Sequence, residues 1–128
     1  MSGWAGRPGR YDVGASASVR SLVLEAEAAG TTAYVLPVVG TKKDLLAALR
    51  STLRFPSWAG ANWDAAADLL TDLSWLPDGP VTLIWPEPEA LAEVDPATHR
   101  TALEVLGYAA RHNRQRPLTV VVAHRGPH

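Results

Sequence analysis

A chain of 128 residues with 47% hydrophobic content has the length of one domain and enough apolar material for a core of its own. Its 12 basic and 13 acidic residues leave a net charge of -1, so no global field favours nucleic acid or an anionic membrane, and any electrostatic function must be local. Cysteine is absent, which excludes disulfides, thiolate catalysis and cysteine-ligated metals.

The N-terminal MSGWAGRPGRYDVGASAS lacks the apolar segment of a signal peptide, and no run of about 18 apolar residues is available to span a bilayer, so a cytoplasmic protein is expected. The Gly, Ser, Pro and Arg content of residues 1–17 predicts a flexible arm, and HRGPH at 124–128 a C-terminal tail. Residues 18–123 then form a single domain.

Ser18 to Gly30 combines a Ser N-cap candidate, good helix formers and a Gly stop, which predicts a first helix. Ala33 to Val39 reads as a strand, and Thr41, with Asp44 three residues on, caps a helix over roughly 41–53. Pro56 and Gly60 punctuate a loop. Asn62 can cap a further helix that reaches about Trp75, before Pro77-Asp78-Gly79-Pro80 forces a turn. Val81 to Trp85 is a strand, Glu87 to Val94 a short helix, Asp95-Pro96 a capped start for a helix to Asn113, and Leu118 to Ala123 the last strand. Three continuous apolar strands separated by helices imply an α/β fold: a small three-stranded parallel sheet packed with helices, right-handed crossovers and an extra N-terminal helix.

The stretch FPSWAGANWDAAADLLTD (55–72) carries Asp64, Asp68 and Asp72 at intervals of four with no basic residue between them. On a helix they form one stripe, opposite Trp63, Ala66, Leu69, Leu70 and Leu73, and each like-charge pair costs about 0.2–0.5 kcal/mol. Asp64 in a first turn is favoured by the helix dipole, whereas Asp72 near the far end is not. The stripe is either a solvated face or one half of a contact with a cationic surface. Trp58, in the Pro- and Gly-bounded loop, is either an anchor folded back on the core or an exposed aromatic suited to an interface. Gly60 permits a left-handed turn or a close backbone approach, and Trp63 is expected in the core.

Residues 55–71, with their proline, aromatic, Gly60, Asn62, Asp64 and Asp68, resemble the loop and second helix of the barstar family, intracellular inhibitors of microbial guanyl-specific ribonucleases. PVTLIW (80–85) and LTVVVA (118–123) are similar to its middle and last strands, and the resemblance covers about 33–123. It implies an inhibitor rather than an enzyme, monomeric when free and bound 1:1 to a barnase-like ribonuclease, with carboxylates placed where the phosphates of RNA would sit. Asp64 and Asp68 would pair with the nuclease's catalytic Arg, Lys and His groups, Asp68 as the main anchor, and Trp58 would pack in the cleft. Gly60, Asn62 and Thr71 would supply backbone approach and polar contacts. Ala59, Trp63, Ala67, Asp72 and Trp75 complete the implied partner-binding surface. The chain departs from the family's prototype at Ala67, where an aromatic is expected, in a longer connection from Thr71 to Pro80, and at Tyr108, which falls where a further acidic contact would lie.

Other chemistry fits less well. Asp64 and Asp68 have the spacing of a carboxylate pair, but they share one convex helix face and have no evident partner to raise either pKa. Val39-Gly40-Thr41-Lys42 matches neither the phosphate-binding nor the dinucleotide-binding glycine pattern and is better read as a turn and an N-cap. Arg111, His112, Arg114 and Arg116 form a basic cluster, yet a helix C-terminus favours such residues in any case. The histidines at 99, 112, 124 and 128 have no metal-ligand spacing, so neither metal nor cofactor is expected. The remaining alternative is an immunity or binding protein that neutralises a different basic toxin or enzyme with the same acidic face.

Overall fold

A computed structural model describes residues 3–14 and 16–125; Met1, Ser2, Ala15 and the final three residues of the expected tail lie outside the described residues. In chain order the elements are β1 (Gly9–Val13), α1 (Val19–Ala28), β2 (Thr32–Val35), α2 (Lys42–Thr52), α3 (Trp63–Leu70), β3 (Val81–Pro86), α4 (Glu89–Ala92), α5 (Pro96–His112) and β4 (Leu118–Ala123). Side-chain caps begin the four longer helices. Ser18 Oγ accepts from the Ser21 amide at 3.1 Å, Thr41 Oγ1 from Asp44 at 3.1 Å, Asn62 Oδ1 from Ala65 at 2.8 Å and Asp95 Oδ1 from Thr98 at 3.1 Å. No helix among the described residues is long and apolar enough to cross a membrane.

The strands pair in parallel in the order β1-β4-β3-β2. Every residue of β3 and β4 is buried, as parallel strands covered on both faces require. Alternation divides their side chains. Val81, Leu83 and Trp85 with Leu118, Val120 and Val122 meet Leu45 and Leu49 of α2, Ala66 and Leu70 of α3 and Leu106 of α5, while Ile84 and Val121 meet Leu22 and Ala26 of α1 together with Trp4. Two threonines on the second face are satisfied by side chain and backbone. Thr31 donates to the Ala26 carbonyl at 2.9 Å and lies 2.8 Å from Thr82, and Thr119 donates to the Arg7 carbonyl at 2.7 Å.

Three expectations from the sequence are corrected. The sheet has four strands, because residues 9–13, assigned to the arm, form β1 along the edge that β4 would otherwise expose. β2 stops at Val35, short of Val39: the Leu36 amide donates to Ile84 at 2.9 Å, and Pro37 has no N–H with which to continue. α3 ends at Leu70 rather than near Trp75. Leu73 takes a left-handed φ of 54°, and Asn113 Nδ2, forty-three positions away in the chain, donates to the Leu70 carbonyl at 2.8 Å.

The first two residues of the expected tail are bonded into the fold. His124 donates its amide to Val13 at 3.0 Å, and its ring lies between Asp12 Oδ1 at 2.9 Å and Glu89 Oε2 at 2.6 Å. The hydrogen bond to Asp12, helped by Glu89 and opposed by partial burial, raises the His124 pKa above its ordinary value of 6.5. Burial alone would raise Glu89, but the Arg125 amide and His124 outweigh it and hold the carboxyl below its usual range. A histidine raised on folding contributes stability that is complete below about pH 6.5 and is lost as pH rises through its folded value. In thermal unfolding from about pH 6 to about pH 9, His124→Gln should therefore lower the midpoint most at the acidic end, with the gap to wild type closing as pH rises. A gap independent of pH would show that the ring carries no charge in this contact.

Candidate protein-binding site

The loop between α2 and α3 is shaped by its own backbone and by one arginine. Arg54 adopts a left-handed φ of 53° as the chain leaves α2, and the Ala59 amide donates to the Pro56 carbonyl at 3.0 Å, closing a turn with Trp58 in its third position. Arg50, in the last turn of α2, donates Nη2 to the Ser57 carbonyl at 2.8 Å and Nη1 to the Ala59 carbonyl at 2.6 Å. The two carbonyls that flank Trp58 are thus drawn toward α2. The indole points out and is 78% exposed, the most exposed large apolar side chain among the described residues. Ala59 beside it is buried.

Gly60 serves close approach and not a left-handed turn. A Cβ there would lie 2.9 Å from Asn62 Nδ2, the far end of the side chain that caps α3. Trp75 is half-buried against the start of the same loop: its indole N–H donates to the Leu53 carbonyl at 2.9 Å, and its ring meets Phe55 edge-on with centroids 5.9 Å apart. Trp63 is partly buried against the main core, as its place opposite the acids requires.

Asp64 and Asp68 lie one helical turn apart on α3 and are exposed, and Asp72 follows the end of the helix and is half-buried. Among the described residues no cation lies within ion-pair distance of any of the three. Asp68 and Asp72, with Ala67 and Thr71, form one wall of an open groove of about 410 Å³; Tyr108, His112, Arg114 and Gln115 form the other. Tyr108 and His112 stack with centroids 4.1 Å apart and ring planes 17° from parallel. The Thr71 hydroxyl is used locally, donating to the Asp68 carbonyl at 2.8 Å and the Ala67 carbonyl at 3.1 Å. Asp64 and Trp58 lie outside this groove, so the expected surface consists of an exposed loop tip, a helix face and a groove rather than one pocket.

The basic cluster of the sequence does not form one patch. Arg116 turns inward, donating to the Leu76 and Ser74 carbonyls and pairing with Asp78 at 3.0 Å, while Arg111 lines a different groove with Arg10, Glu104 and Gly107. Only His112 and Arg114 face the acids. Sequence reasoning missed Arg50, whose sole signal was a basic residue in the last turn before a Pro- and Gly-bearing loop.

These features define an α/β protein in which helices cover a small parallel sheet and one short helix presents unpaired acids beside an exposed aromatic. Its sequence matches the family described as Barstar (barnase inhibitor) over residues 34–124, and the chain belongs to that family. No curated protein matches the chain. The family's description is of an inhibitor that binds a ribonuclease and not of an enzyme. The match begins within β2, so β1 and α1 lie outside it.

Removing charge and removing the cap should separate contact from structure. Asp68→Asn should leave the thermal midpoint unchanged or slightly higher, because it relieves repulsion of about 0.2–0.5 kcal/mol. Asn62→Ala should cost about 1 kcal/mol and lower the midpoint by a few degrees. Equal losses in the two variants would give Asp68 a structural role.

Proposed function

We propose that this chain inhibits a microbial guanyl-specific ribonuclease of the barnase-like class by occupying its active site in a 1:1 complex. The supporting observation is the exposed, internally unpaired Asp64 and Asp68 on the helix that follows an outward-held Trp58. A cleft that binds RNA phosphates is lined with cations, and carboxylates on a rigid helix can pair with them through charge-assisted hydrogen bonds that arginine makes bidentate. Asp68 is the main anchor, Asp64 the second, and Asp72 and Thr71 extend the contact along the groove edge. Trp58 supplies the apolar contact, with Gly60 and Asn62 beside it. Ala59, Trp63 and Trp75 hold the surface from behind, since all three are at least partly buried. Ala67 leaves room in the groove for a partner side chain, bounded on the far side by Tyr108.

Titration of RNA cleavage by a panel of purified guanyl-specific ribonucleases should show stoichiometric inhibition of at least one. Asp68→Ala should weaken that inhibition by roughly a hundred- to several-thousand-fold, corresponding to about 3–5 kcal/mol for removing one member of a desolvated ion pair. Association should slow as salt rises, because mobile ions screen exposed charges beyond about 10 Å at 0.1 M. Inhibition unaffected by Asp68→Ala would place the contact elsewhere, and neutralisation of a basic toxin with no ribonuclease inhibited would favour the alternative target.

A further inference from the structure

We infer that Arg50 is the positioning residue of the inhibitory loop: its guanidinium holds Trp58 in its outward, partner-facing orientation before any partner arrives. The inference rests on the proposed function for its consequence in binding, but the geometry stands by itself. One planar, five-donor group bonds the carbonyls of Ser57 and Ala59, the residues on either side of Trp58, at 2.8 and 2.6 Å. The Ser57 carbonyl belongs to the trans peptide that enters the Trp58 Cα and the Ala59 carbonyl to the peptide that leaves the turn, so Arg50 fixes the plane before Trp58 and the plane after Ala59, and the peptide between them is held by the Ala59 amide. The Ala59 amide is already committed to Pro56, which leaves the turn few ways to rearrange while Arg50 is in place.

The loop also borders apolar space. A largely apolar cavity of about 190 Å³ lies between α2, α3 and the loop, lined in part by Leu46, Ala47, Phe55 and Ala66. Trp58 does not line this cavity, and an exposed indole would gain by turning inward against apolar side chains, as burial of aromatic surface is favourable. Arg50 also lines this cavity, and by occupying both carbonyls it opposes that collapse. Ordering the loop in advance removes a cost that binding would otherwise carry.

The tests are Arg50→Met, which keeps the aliphatic reach and removes every donor, and Arg50→Lys, which keeps the charge favoured at the end of α2 but reaches one carbonyl at a time. Amide hydrogen exchange on the free protein should speed up about tenfold or more at Ala59, whose amide closes the turn on Pro56, in Arg50→Met and less in Arg50→Lys, with exchange in β3 and β4 unchanged. Against a ribonuclease that the wild-type chain inhibits, Arg50→Met should weaken binding roughly 2- to 10-fold, and the loss should largely vanish in a Trp58→Ala background. Unchanged exchange in the loop, or an equal loss of binding with and without Trp58, would overturn the inference. If Asp68→Ala abolishes inhibition while Arg50→Met does not alter it, the inhibitor reading stands and the positioning role falls. If the wild-type chain inhibits no ribonuclease, the inhibitor reading falls, and loop exchange still decides whether Arg50 holds Trp58.

Discussion

Complete burial of β3 and β4 is the constraint on which the other elements depend. Twelve consecutive-in-space residues with no solvent-facing side need cover on both faces and partners on both edges. Each outer feature answers one of these needs. α2, α3 and α5 cover Leu83, Trp85, Val120 and Val122, α1 covers Ile84 and Val121, β2 pairs the free edge of β3, and β1 pairs that of β4. Because β2 and β3 are parallel, the chain between them must cross over the sheet, and α2 and α3 make up that crossover. The loop joining these two helices carries Trp58.

That arrangement lets the candidate surface forgo local stability. Asp64 and Asp68 repel one another, and Trp58 is left in water. None of these costs falls on the sheet, because α3 is secured from behind: Leu69 and Leu70 are buried, Asn113 caps its last carbonyl from α5, and Asn62 caps its start. The helix face toward solvent carries the two exposed acids. The groove wall opposite Asp68 and Asp72 bears Tyr108, His112 and Arg114, which makes this edge of the surface mixed in charge rather than uniformly acidic.

Much of this was legible in local chemistry. Ser18, Thr41, Asn62 and Asp95 announce helix starts because a cap is a contact within three or four residues. The two central strands read as apolar runs because burial on both faces leaves no polar position. β1 did not, since Gly9-Arg-Tyr-Asp-Val13 alternates and sits at an edge, where the sequence alone gives no sign that β4 offers it a partner. The early end of α3 was hidden for a related reason: helical spacing continues through Leu73 and Trp75, but the stop is set by a left-handed residue and by a side chain from α5. At the site, the spacing of Asp64 and Asp68 was plain, while the role of Arg50 depends on a loop folding back over the helix that precedes it.

By itself the sequence determined the α/β class, the four capped helices, the buried strands and the family, because each rests on short-range periodicity or on a motif held within one stretch of chain. The tertiary structure alone decided whether Trp58 turns in or out, whether the acids find an internal cation, whether residues 9–13 join the sheet, and whether 124–125 are bonded to the rest of the fold. Those outcomes depend on which groups distant segments bring to one another: an arginine to two carbonyls, an asparagine to a helix end, a histidine between two carboxylates. Contacts of this kind leave no periodic trace in the chain, since their energy depends on separation in space and not on separation in sequence.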